Sequence, residues 1–163
     1  MINFLSTTGT IATIEDFWIN ESQESLGCYK LMSLQDDNGN TTNFVVSPET
    51  YILNNEILLP GDRVTGYYDG NAPVPLIYPP QYRALVMHKN RPFPNIKVGY
   101  FNNQLISSDN QLQLNLSPST LIVLRNGQLF SHNPANHNLI AIYGATTRSI
   151  PAQTTPFIVI VLC

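Results

Sequence analysis

The chain has 163 residues, 43% hydrophobic but only 12% charged, and carries a formal net charge of −3. That charged share is about half the usual ~25%, and no run of Lys or Arg exists to grip a phosphate backbone, so nucleic acid is excluded as a partner. No apolar stretch approaches the ~20 residues of a membrane helix, and two cysteines, Cys28 and Cys163, are too few for a disulfide framework. They read as buried or free thiols unless the fold brings their strands together.

The first eight residues, Met-Ile-Asn-Phe-Leu-Ser-Thr-Thr, lack the basic start and long apolar core of a signal peptide. Cytoplasmic synthesis is the expectation, with cell- or spore-surface association left open. Helical periodicity is hard to find, whereas strand signals recur. Residues 9–14 open a first strand, 28–34 (with Cys28) make a second and 42–46 a third. Between the last two lies Asp36-Asp37-Asn38-Gly39-Asn40, whose Asn and Gly suit a tight β-hairpin turn. The Asp-x-Asn spacing lacks the Gly position and distal Glu of a calcium loop, so the hairpin reading stands.

Residues 61–68 turn into a fourth strand. Residues 69–82 hold four prolines, which cannot sit in a central strand because each lacks a ladder N–H, so an ordered extended loop is predicted. Residues 83–87 then close the first half. A bulky, proline-rich joint follows and predicts a fixed relative orientation of the two halves. The second half runs through strands at 96–101, 105–107, 112–116 and 120–124. An Asn126-Gly127 turn and two further strands complete it. Leu112, Leu114 and Leu116 alternate with polar residues as a half-buried strand should.

The two halves repeat one another. Ser47-Pro48-Glu49-Thr50 recurs as Ser117-Pro118-Ser119-Thr120, each followed by an apolar triplet. Val64-Thr65-Gly66-Tyr67-Tyr68 is echoed by Ile140-Ala141-Ile142-Tyr143-Gly144, and Ile77-Tyr78-Pro79-Pro80-Gln81 by Ile150-Pro151-Ala152-Gln153. A repeat of this kind fixes architecture before local reading does. We expect an all-β protein of two tandem OB-like small barrels, residues 1–89 and 95–163 joined by 90–94. A single β-sandwich made of both copies is the competing arrangement.

Residues 61–73, with Leu76 to Tyr82 and the stretch from Tyr143 to Pro156, resemble an uncharacterised tandem β-module of clostridial and related anaerobic Firmicutes. The resemblance covers most of the chain. In that family the module often accompanies a copper amine oxidase N-terminal-like domain, a non-catalytic module of exported surface proteins. This chain departs from that pattern, with neither an export signal nor that second domain expected. The resemblance therefore supports a family and leaves both location and activity open.

Four tyrosines around the proline-rich loop, Tyr67, Tyr68, Tyr78 and Tyr82, are the candidate ligand-binding residues, since Tyr offers a rigid apolar face and a hydroxyl. The alternative is that the rings pack beneath the loop as a plug. The C-terminal run 157–162 has no charged gatekeeper, so Phe157, Ile158, Ile160 and Leu162 are candidates for self-association through an open edge. Burial as a central strand is the alternative. His132 and His137 share a loop, but nothing fixes metal-binding geometry, and no metal or other cofactor is expected. No nucleophile elbow or phosphate-cradling glycine loop is present, and adjacent acidic pairs point to opposite faces of a strand, so an enzyme is not expected. The expected role is a structural or interaction protein, part of a cell- or spore-associated assembly and homo-oligomeric. The alternative is a binding module that grips a glycan or peptide through the Tyr/Pro loop.

Overall fold

The computed structural model describes residues 1–19 and 23–163. The protein is all-β: among these residues there are thirteen strands, two short 3-10 turns and no α-helix. The strands are β1 (Phe4–Asp16), β2 (Lys30–Gln35), β3 (Thr41–Val46), β4 (Tyr51–Ile52), β5 (Arg63–Asp69), β6 (Gln81–Arg83) and β7 (Val86–Lys89). They continue with β8 (Asn95–Phe101), β9 (Leu112–Leu114), β10 (Leu121–Leu124), β11 (His137–Tyr143), β12 (Ala152–Thr154) and β13 (Ile158–Val161). The chain divides into two compact units, Leu5–Asn90 and Arg91–Cys163, with Met1–Phe4 belonging to the second.

In the first unit β1, β2 and β3 form an antiparallel meander. Gly39 at φ +80° and the Asp36 carboxylate, which accepts the N–H groups of Asn38 and Asn40 at 2.9 Å, hold the β2–β3 hairpin. The pairing of β1 with β2 slips at Ala12, a β-bulge that bends the long first strand. The sheet order is β4-β7-β5-β1-β2-β3-β6. Near opposite ends of that order stand β6 and β7, yet only Ala84 and Leu85 separate them in the chain. Ala84 N–H donates to Val45 C=O at 3.0 Å and Leu85 N–H to Tyr67 C=O at 2.8 Å, so one stretch of chain ties the two ends of the sheet together.

The second unit repeats this plan. Its sheets run β10-β13-β11-β8 and β12-β9, and two bridges, Phe101 to Ser107 and Ile106 to Gln113, link them through residues 105–107. Taken in series, that is the strand order of the first unit, with the same parallel pairs: β6 on β3 and β12 on β9, β7 on β4 and β13 on β10. The Ser-Pro-x-Thr motif makes the same bonds in both. Thr50 Oγ1 donates to Ala84 C=O and accepts from Ser47 N–H, while Thr120 Oγ1 donates to Pro156 C=O and accepts from Ser117 N–H. These equivalences set Thr65 against Ile140 and Tyr68 against Tyr143, one residue out of step with the alignment by sequence.

Each unit has its own apolar cluster, and the two differ in a compensating way. In the first, Gly66 lies against the fully buried ring of Phe44. At the equivalent positions of the second stand Ala141 and Leu114, a larger strand residue against a smaller partner.

Two expectations need correction. Cys28 lies in a turn before β2 rather than in the strand, and both cysteines, free thiols as expected, are exposed rather than buried. The C-terminal strand is not an edge: β13 is hydrogen-bonded between β10 and β11. Ile160 is buried, Ile158 pairs with Leu121 and Ile142, Leu162 N–H donates to Asn138 C=O, and Phe157 is bonded through both backbone groups. The apolar run that suggested a bare edge is the signature of a strand covered on both sides.

Candidate functional site

Because both units share one plan, the segments that differ stand out. The second unit joins β8 to residues 105–107 through the short turn 102–104, where Asn102 Oδ1 accepts from Gln104 and Ile106 N–H. The first unit spends thirteen residues, 17–29, on the same connection between β1 and β2. The β5–β6 connection is also longer, eleven residues (70–80) against eight (144–151).

The described parts of both long connections border one open groove of ≈ 440 Å³. Phe17, Trp18, Ile19 and Tyr29 come from the β1–β2 connection, and Pro73, Val74 and Pro75 from the proline-rich loop. Val45 of β3 and Gln81, Tyr82 and Arg83 of β6 complete the lining. A bond from Phe17 N–H to Tyr29 C=O at 2.9 Å closes the base of the first connection and holds those two residues near each other in the chain's path. Trp18, the chain's single Trp, is 66% exposed and lines the groove. Among the described residues Arg83 is the one charged side chain in the lining.

Of the four predicted tyrosines, the structure brings only two together. Tyr68 and Tyr82 stack at 3.8 Å with planes 7° apart, and the Phe44 ring sits 6.1 Å from each. Burial, reinforced by the adjacent Tyr82 hydroxyl, pushes the Tyr68 pKa up to about 12. This pair belongs to the edge of the core, with Tyr82 also reaching the groove. Tyr67 takes the opposite face of β5, where its hydroxyl lies 2.9 Å from His88 Nε2. Tyr78 is 80% exposed, beside the fully exposed Leu76 on the outer part of the loop, and does not line the groove. Sequence reasoning misses Phe17, Trp18 and Tyr29. The available signal is a Phe-Trp-Ile triplet in a segment with no strand period to bury it.

His132 and His137 flank the ring of Phe130 edge-on, at 6.1 and 5.6 Å, and His137 Nδ1 is bonded to Ala135 C=O. Among the described residues no three His, Cys, Asp or Glu side chains are grouped to hold a metal. In the adjacent acidic pairs Glu15-Asp16 and Asp36-Asp37, Asp16 is engaged by Lys30 and Asp37 by Arg63. Among the described residues, no helix is long and apolar enough to cross a membrane. Comparison of the chain with protein-family models, with curated proteins and with solved structures found no match.

Proposed function

We propose that each unit is an OB-like barrel and that the first is a binding module, holding a glycan or peptide in the groove between its two long connections. The barrel reading rests on the cyclic order β1, β2, β3, the 81–89 stretch, β5 and back to β1, with a parallel pairing between the third strand and the closing one. In that fold the loops after the first strand and before the last border the face that takes ligands. Those are the two connections that line the groove.

One observation carries the functional reading: the elements added to the first copy and missing from the second converge on a single aromatic-lined groove. In repeated architectures, insertions confined to one face are where binding is found. Glycan and peptide arrays probed with the full chain test this. Binding should fall at least ~10-fold in Trp18→Ala, the loss of an exposed aromatic anchor, and stay unchanged in Tyr78→Ala. Binding indifferent to Trp18 overturns the proposal. Tyr68→Ala and Tyr82→Ala are poor tests, because both rings also hold the core.

The assembly reading loses one of its supports, the open C-terminal strand, since β13 is paired on both sides, and keeps the low charge of the chain. Light scattering with size-exclusion chromatography decides what is left of it. A concentration-independent monomer removes assembly, and a defined oligomer restores it.

A further inference from the structure

The wall of the groove formed by β6 is an unfinished sheet edge. Parallel pairing with β3 uses alternate residues of this segment. Pro80 C=O accepts from Asn43 N–H at 2.8 Å, Tyr82 is registered with Phe44, and Ala84 N–H donates to Val45 C=O. The N–H and C=O groups of Gln81 and Arg83 therefore point away from β3, and β6 is the last strand in the sheet order. Among the described residues they have no backbone partner.

The second unit shows the same edge closed. Gln153 of β12 corresponds to Gln81, because each is registered one residue before the position that faces Leu114 or Phe44. There the loop returns and straps the edge. Thr147 Oγ1 accepts from Gln153 N–H at 2.9 Å, and Thr147 N–H donates to Gln153 C=O at 2.9 Å. Thr154 Oγ1 adds a bond to Ala145 C=O at 2.8 Å. In the first unit the loop at this place carries Pro73 and Pro75, which have no N–H to give. Among the described residues the strap is missing where the groove is present.

Resting on the binding reading above, we propose that the groove takes an extended peptide that adds to β6 as a further strand. The peptide exchanges backbone hydrogen bonds with Gln81 and Arg83. Such an edge is a template for another strand, and the strand's alternate side chains supply specificity. Here those side chains are apolar, seated against Phe17, Trp18, Tyr29 and Val74. Arg83, exposed and without an ion-pair partner among the described residues, selects a carboxylate on the peptide. A glycan suits the site less well: beyond two phenols, Gln81 and Arg83, the described lining offers few polar side chains to meet sugar hydroxyls.

The test starts from a phage-displayed random dodecapeptide library selected on the full chain. A selected peptide is then made with single N-methyl groups at successive residues and titrated calorimetrically. Strand addition predicts an alternating pattern. Methylation at every second residue weakens binding about tenfold, the size of one lost backbone hydrogen bond, and at the residues between leaves it nearly unchanged. The amide protons of Gln81 and Arg83 become slow to exchange in the complex. Arg83→Gln weakens the peptide bearing a carboxylate several-fold and leaves its amide counterpart unaffected. Peptide binding that needs Trp18 but shows no alternation overturns strand addition and leaves the groove reading intact. Glycan binding alone, if it depends on Trp18, likewise overturns strand addition and spares the groove. Absence of any Trp18-dependent binder overturns both.

Discussion

Placing Ala at Gly66 provides a stringent check on how the first unit is packed. A Cβ there would lie 2.7, 2.8 and 3.1 Å from Cε2, Cζ and Cδ2 of Phe44, where carbon atoms normally meet at ~3.5–4.0 Å. The ring must retreat by roughly 1 Å, but it already packs against the stacked pair Tyr68 and Tyr82, 6.1 Å from each centroid. Gly66 does not have a positive φ, so the backbone itself accepts Ala and the cost is steric. Overpacking of this kind costs about 1–3 kcal/mol. Phe44→Leu alone leaves a cavity and costs about 1–3 kcal/mol. The two changes together recreate the pair found in the second unit, Ala141 with Leu114, so the double variant should be more stable than the sum of the singles by about 1–2 kcal/mol. Native-state hydrogen exchange at Met32 and Leu34, read in the full chain, reports the first unit separately from the second. Additive losses, with no rescue in the double variant, would refute the packing argument.

Gly9→Ala should be worse, because the added Cβ would meet the Gln35 carbonyl oxygen at 2.6 Å and its carbon at 2.9 Å, backbone atoms that cannot rotate away. A loss of about 2–4 kcal/mol or failure to fold is expected, checked by urea denaturation. Thr50→Val and Thr120→Val each remove a hydroxyl that donates at 2.8 Å to a backbone carbonyl, and each should cost about 1–2 kcal/mol in its own unit by hydrogen exchange. His88 is buried between the Tyr67 hydroxyl and the Lys89 carbonyl, and burial lowers its pKa despite that carbonyl and the nearby Glu56. The unfolded chain then binds the proton more readily, so stability is complete above the unfolded value of about 6.5 and declines as pH falls through it. Thermal melts from about pH 8 to pH 5 should show this decline, and His88→Gln should flatten it.

How much of the fold is legible in the sequence depends on what each signal constrains. Ser-Pro-x-Thr is readable because its function is specific to those side chains: the Thr hydroxyl spans two backbone groups and the Ser hydroxyl accepts the N–H of Glu49 or Ser119. The Asn-Gly hairpin is readable for a similar reason. The run at 157–162 is ambiguous, since an apolar strand looks alike whether it is central or exposed, and only the pairing with β10 and β11 decides. Grouping Tyr67 and Tyr68 as one surface fails because neighbours on a strand must point to opposite faces; the structure puts one against His88 and the other in the core. Trp18 escapes a sequence reading because it lies between β1 and β2, where no period marks a face. The slip of one residue in aligning β5 with β11 comes from matching residue types rather than backbone partners.

The repeat also separates what the shared fold needs from what it does not. Thr50 and Thr120, Phe44 with Gly66 and Leu114 with Ala141, and the parallel closing strands occur in both units, so the fold explains them. The two long connections that border the groove and, among the described residues, the bare edge at Gln81 and Arg83 belong to the first unit alone, so the fold does not. A loop with a Thr that closes the edge, as Thr147 does, is compatible with this architecture; the first unit's loop 70–80 instead has four prolines and the exposed apolar residues Val74, Leu76 and Ile77. Grafting residues 145–152 in place of 70–80 should therefore close the edge and leave the strand order intact. Protection of the Gln81 amide from exchange in the graft, with peptide binding abolished, is the expected outcome. Peptide binding that survives a protected Gln81 amide would mean that β6 takes no part in it.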